Sequence, residues 1–162
     1  MKDSCYNQLP LGRIFGVLTK KYIGFLAQQL QDSPVERYFY PLFLVATYSG
    51  KISQQQLADY LLSDKVSIVR IIDSLEKESL IERTINPKDR RQHLLCITEK
   101  AKPWIDKIEK AIQKTDALFI SFLQQNMQED FKPELINLVK QVMVLPVEEI
   151  EVFYSRKKRI KK

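Results

Sequence analysis

Cysteine is nearly absent: Cys5 and Cys96 are the only two in 162 residues. That excludes a disulfide framework and a four-cysteine zinc site, and it fits a reducing cytoplasm. His93 is the single histidine, so no multi-histidine metal site can form and no histidine serves a serine or cysteine nucleophile within a recognisable motif. Glycine is scarce, at 4 residues, which argues against long flexible loops, and no Gly-rich phosphate loop is present. No apolar run approaches about 18 residues, so a membrane-spanning helix is not expected. The N-terminal MKDSCYNQLPLGRIFG has an early acid and no continuous apolar core, unlike a secretory signal. These absences point away from an enzyme, a metal protein and a membrane protein, and no cofactor is implied.

What is present is ordinary in bulk and unusual in placement. Hydrophobic residues make up 44% and charged residues 28%, values of a globular chain with room for one domain, taken here as residues 1–155. The net charge is +6. The last seven residues, 156–162, hold six basic groups and no acid, so the tail accounts for the whole excess. The body is neutral, and any surface for nucleic acid on it must come from local placement. The basic tail itself reads equally as a solubilising end or as an arm on DNA. Glu148, Glu149 and Glu151 read as a solvated face.

Periodicity predicts mainly helix. Leu11, Ile14, Phe15, Leu18, Tyr22, Phe25 and Leu26 form one apolar stripe over about Leu9 to Leu30. Ser33 before Pro34 suggests the cap of a second helix reaching Tyr48, with Pro41 kinking it or delaying its start. Ser53 and Gln56 form a capping-box pattern for a third helix, and Ser63 or Asp64 caps a fourth. In the fourth, Ile68, Ile71, Ile72 and Leu75 face a core, while Val66, Ser67, Val69, Arg70 and Ser74 lie on or around the other side. Two strand-like runs, Ile81 to Ile85 and Gln92 to Ile97, flank an Asn86-Pro87-Lys88-Asp89 turn. Thr98 is placed to cap a long helix. Its residues Ala101, Ile105, Ile108, Ile112, Thr115, Phe119 and Phe122 alternate steps of four and three, a seam for another helix. Asp130 starts a last helix, which Pro146 interrupts, with a final turn over Val147 to Tyr154. The expected fold class is mainly α with a small β-hairpin (α+β): a winged helix-turn-helix at about 34–98, flanked by dimerisation helices at about 9–31 and 99–154. A helix pair with a basic hairpin is a device for reading duplex DNA.

Leu57-Ala58, Asp64-Lys65, Leu75-Glu76, Leu80-Ile81-Glu82-Arg83, Asp89-Arg90-Arg91 and Ile97-Thr98-Glu99-Lys100 stand in this order. In type and spacing they resemble the MarR family of bacterial transcriptional regulators. Leu62, Ser79 and Ala101 depart from the pattern, each standing where the family often has glycine.

The resemblance makes the fourth helix the recognition helix and implies contacts with double-stranded DNA. Arg70 suits a guanine edge or a phosphate, Ser67 a base or phosphate oxygen, and Val66 and Val69 thymine methyl groups. Ser74 lies on the same outward side. Ser53, Gln54 and Gln55, at the start of the third helix, and Lys65 suit phosphate. In the hairpin Arg91 resembles the family's minor-groove arginine, with Asp89 orienting its guanidinium. Lys88, Arg90 and His93 add phosphate contacts. The resemblance further implies a homodimer on a palindromic site, more a repressor than an activator, and release by a small aromatic or anionic effector. Tyr22, Tyr38, Tyr40 and Trp104 are candidate pocket residues, although aromatics at these spacings more often form plain core. Cys5 has no basic neighbour to activate it for redox sensing, and Cys96 reads as filler. The alternative reading is a winged-helix module that binds protein and not DNA.

Overall fold

The computed structural model describes residues 8–145. Cys5, the segment from Pro146 to Tyr154 and the basic tail lie outside the described residues. The chain divides into two compact units, one ending at Phe119 and the other beginning at Ile120.

In the first unit α1 (Leu11–Gln29) is followed by turns, then α2 (Phe39–Thr47). The second helix starts later than Ser33-Pro34 suggests. The Ser33 hydroxyl donates back to the Leu30 carbonyl instead of capping a helix, and residues 32–38 stay in turns. Pro41 then falls in the first turn of α2, where an amide proton has no intrahelical partner, so it delays the start without breaking the helix.

The next elements are β1 (Ile52–Ser53), α3 (Gln54–Tyr60), α4 (Lys65–Lys77), β2 (Ile81–Ile85) and β3 (His93–Ile97). The sheet therefore has three strands in the order β1-β3-β2, all antiparallel, and not the two that the sequence suggests. Ile52 pairs with Leu95 and Ser53 with Leu94. β2 pairs in register from Ile81 with Ile97 to Ile85 with His93. Ser53 also caps α3: its hydroxyl accepts from the Gln56 amide, and the Gln56 side chain accepts from the Ser53 amide. Asp64 caps α4 by accepting from the Ser67 amide at 2.9 Å. Gly50, at φ 73°, turns the chain from α2 into β1.

Thr98 is extended, yet its hydroxyl caps nothing; it donates to the Ser79 carbonyl at 2.7 Å. A single 3₁₀ turn, Glu99–Ala101, leads into α5 (Lys102–Ser121). The core gathers Leu26 and Leu30, Phe39, Leu42 and Val45, Ile52, Leu57, Ile68, Ile72 and Leu75, Ile81, Leu95, Ile105 and Ile108. Each fully buried leucine or isoleucine there contributes about 1.5–3 kcal/mol. Of the expected seam residues, Ala101 in the 3₁₀ turn and Ile105, Ile108 and Thr115 on α5 are buried, Ile112 and Phe119 are half-buried, and Phe122, just past α5, is exposed.

The second unit holds a 3₁₀ turn at Gln125–Met127 and α6 (Gln128–Val142). The last helix starts two residues before Asp130, so Glu129 and Asp130 occupy its first turn, where negative charge suits the helix dipole. None of its residues is buried. Leu135, Ile136, Leu138, Val139 and Val142 stand exposed on it, as does Met143 just beyond its end.

Candidate nucleic-acid interface

β3 brings three separate stretches side by side. β1 hydrogen-bonds to one edge of it and β2 to the other, and Ser53 at the end of β1 starts α3 directly. The start of α3, the first residue of α4 and the β2–β3 hairpin therefore border one groove of about 530 Å³. Its lining includes Lys51, Ser53, Gln54, Gln55, Lys65, Arg91 and His93, with amides from Gln56, Asn86 and Gln92. Lysine and arginine supply the only fixed charges there; no aspartate or glutamate lines it. A local concentration of positive charge thus arises on a body that is neutral overall.

The hairpin tip is shaped by side chains acting on its own backbone. Asn86 accepts from the Lys88 amide at 2.9 Å and Asp89 from the Arg91 amide at 3.0 Å. This corrects one expectation. Asp89 holds the Arg91 main chain and not its guanidinium, because an Asx turn two residues long is satisfied locally. Among the described residues Lys88, Arg90, Arg91 and His93 are exposed and in no ion pair.

On α4 the Asp64 cap doubles up: the Ser67 hydroxyl donates to Asp64 at 2.6 Å while the Ser67 amide binds its other oxygen. The Ser67 hydroxyl, and then its amide, hold the Asp64 carboxyl below the usual carboxylate range. Ser74 donates to the Arg70 carbonyl at 2.9 Å, so both serine hydroxyls are engaged within the helix. Arg70 and Lys65 are exposed and unpaired among the described residues, Val66 is 60% exposed, and Val69 is half-buried.

The three polar residues that open α3 differ in what they offer. Ser53 is 7% exposed and its hydroxyl oxygen accepts the Gln56 amide in the cap, so it shapes the groove more than it faces solvent. Gln55 donates along its helix to Asp59 at 2.9 Å. Gln54, with its carboxamide oxygen turned inward, accepts from Arg83 at 2.8 Å. Lys51 is a groove cation that sequence reasoning missed. A two-residue strand leaves no alternation to read, and only its pairing on β3 places Lys51 beside the hairpin.

Residues 45–93, which span α2 to the start of β3, match the MarR family model. Over this stretch the chain is similar to the MarR family. Proteins of the MarR family are transcription regulators, not enzymes. Solved structures share the fold along most of the chain. A MarR regulator from Methanosarcina mazei Go1 is 21% identical, with 82% of this chain and 96% of that one covered and a TM-score of 0.72. A SlyA-like regulator from Listeria monocytogenes is 23% identical, with 88% and 90% covered and the same score of 0.72. S. aureus MepR, solved as a DNA complex, is 14% identical, with 83% and 99% covered and a TM-score of 0.71.

Two of the MarR-type departures acquire a geometry. Leu62 and Ser79 both adopt positive φ, 48° and 57°, the region glycine enters without penalty. Ala101 instead lies buried in the 3₁₀ turn.

The four aromatic candidates differ in their surroundings. The Tyr22 hydroxyl donates to Asp116 at 2.5 Å, and its ring meets Phe119 edge-on. Burial, then the hydrogen bond and charge of Asp116, raise its phenol above the ordinary range. Tyr38 and Trp104 are half-buried against the core, with Lys107 over the Trp104 ring, and Tyr40 is exposed. A second cavity of about 370 Å³ lies between α1 and α5, lined by Phe25, Gln28, Gln29, Lys114 and Leu118. None of the four aromatics lines either cavity. Among the described residues no cluster of three His, Cys, Asp or Glu side chains is placed to hold a metal, and no helix is long and apolar enough to cross a membrane.

Proposed function

We propose that the chain is a cytoplasmic, sequence-specific repressor that binds a palindromic duplex as a homodimer. The observation that carries this reading is the groove whose fixed charges, Lys51, Lys65 and Arg91, are all positive, although residues 1–155 carry no net charge. Phosphate is the complementary ligand for such a surface. MepR, with the same fold, was solved bound to DNA, which adds support.

In this reading α4 enters the major groove with Arg70 toward a guanine edge and Val66 and Val69 toward thymine methyl groups. The hairpin carries Arg91 toward the minor groove, and Lys65, Lys88, Arg90 and His93 take phosphate. The exposed apolar residues of α6, and Leu11, Phe15 and Leu18 of α1, supply surface for a two-fold partner, which spaces two recognition helices about 34 Å apart. Release of the DNA by a small aromatic or anionic effector completes this reading.

The test is a mobility-shift titration with the DNA upstream of its own gene over a salt series. Expected are a steep loss of affinity with salt, a broad loss for Arg91→Ala, and relaxed sequence preference for Arg70→Ala. Equal binding by both variants and the parent, or affinity indifferent to salt, would refute DNA recognition and favour a protein-binding module.

A further inference from the structure

Arg70 and Asp73 stand three residues apart on α4, the spacing at which opposite charges pair on a helix surface. They do not pair. Asp73 accepts from the Arg83 guanidinium, which also donates to Glu76, and Arg70 is in no ion pair among the described residues. Arg83 reaches α4 from β2, where its register opposite Leu95 fixes its backbone. Gln54 on α3 completes its shell, accepting from Nε at 2.8 Å and from Nη2 at 3.3 Å. All three guanidinium nitrogens are thus engaged, by three residues on two helices. The Arg83 side chain is 22% exposed, against 57% for Asp73, so the arginine is the better-held partner.

We propose that Arg83 is a specificity-determining positioning residue: by occupying Asp73 it leaves Arg70 uncommitted for a base edge. Without it, two helix cations stand within pairing range of Asp73, Lys77 four residues after it and Arg70 three before it; of the two Arg70 can pair bidentately, and an arginine clamped by a carboxylate has lost the donors that recognise guanine. Arg83 acts through Arg70 and makes no DNA contact of its own. This deepens the DNA-binding reading of α4 and rests on it. A plain structural tie between β2 and α4 would behave differently, since its loss would weaken binding whether or not Arg70 were present.

The experiment selects a duplex from a randomised pool with the parent protein. It then measures affinity for that duplex and its single-base variants by fluorescence anisotropy. The proteins are the parent, Arg83→Gln, Asp73→Asn, Arg83→Gln/Asp73→Asn, Arg70→Ala and Arg70→Ala/Arg83→Gln, each checked for helix content by circular dichroism. Expected is that Arg83→Gln weakens binding about tenfold and flattens discrimination at one base position per half-site. Adding Asp73→Asn restores both, and in the Arg70→Ala background Arg83→Gln changes nothing further. Asp73→Asn alone binds as the parent does. Loss of the same size with and without Arg70, or no rescue by Asp73→Asn, overturns the proposal. Arg83→Lys gives a second handle if the glutamine variant is unfolded. Its ammonium cannot span both carboxylates and Gln54, so a smaller loss, again rescued by Asp73→Asn, is expected, and absence of rescue overturns it. Arg70→Ala binding like the parent, or no duplex selected at all, defeats the DNA reading and this inference together. Loss with Arg70→Ala beside an unaffected Arg83→Gln defeats this inference alone.

Discussion

The phenol of Tyr22 on α1 donates to the carboxylate of Asp116 on α5 at 2.5 Å, across 94 residues of sequence. A parallel tie joins Gln29 to Thr115 at 2.7 Å. Both join the first and last long helices of the first unit through polar groups set among apolar ones.

Tyr22→Phe keeps the edge-on contact with Phe119 and deletes one hydrogen bond. Stability at pH 7 should fall by about 1 kcal/mol in urea denaturation. The pH dependence has a definite sign. The folded phenol holds its proton beyond the ordinary tyrosine pKa of 10.0, while the unfolded phenol loses it near there. The bond's contribution is complete below about pH 10 and declines above it, because the unfolded state then binds fewer protons. Parent and variant should converge in stability as pH rises from 10; a gap that widens instead would contradict the assignment.

Asp64 works in the opposite pH direction. Its folded carboxyl titrates below the ordinary value of 3.8, so the cap stabilises α4 above that pH and is lost as pH falls through the folded value. Asp64→Ala should lower the urea midpoint at pH 7, and its deficit against the parent should shrink in acid. Asp64→Asn, an uncharged cap, should lose far less at neutral pH.

Leu62 is 90% exposed and held at φ 48°. Leu62→Gly removes the left-handed strain without opening a cavity, and should raise stability by about 0.5–1 kcal/mol after the added flexibility of the unfolded chain is subtracted. Guanidinium melts of the two proteins decide it; a destabilised glycine variant would mean that Leu62 has a packing role.

If the groove binds phosphate, Lys65→Ala and Arg91→Ala should each reduce the slope of log affinity against log salt by about 1. Asp32→Ala, at a turn outside the groove, should leave the slope unchanged. Titrations at four salt concentrations separate these cases.

The exposed apolar face of α6 carries the oligomerisation proposal. Leu138→Asp/Val139→Asp should shift the mass by light scattering from dimer to monomer while leaving circular dichroism unchanged, since neither side chain is buried.

Much of the winged helix was legible because its signals are local. Ile68, Ile72 and Leu75 repeat at helical spacing and all three are buried. Ser53 with Gln56, and Asp64, announce their helices with side chains that reach only three residues. What escaped is what depends on other segments. β1 is two residues long and exists only because β3 pairs with it. The start of α2 is not marked in the sequence, because a dense apolar run fixes no boundary and the Ser33 hydroxyl finds a nearer carbonyl. Thr98 likewise spends its hydroxyl on Ser79, a partner 19 residues away. The candidate contacts on the hairpin were readable as residue types, but the Asp89 carboxylate chose the backbone over a guanidinium. Arg83 was visible only as part of a motif; its role needs α3, α4 and β2 in place at once.

Ser53 is at once the last residue of β1, facing Leu94, and the cap of α3 through the Gln56 amide. One residue therefore belongs to two mechanical parts, and neither can shift without straining the other. Exchange of the Gln56 amide proton with solvent consequently serves as a built-in gauge of how firmly the hairpin is seated.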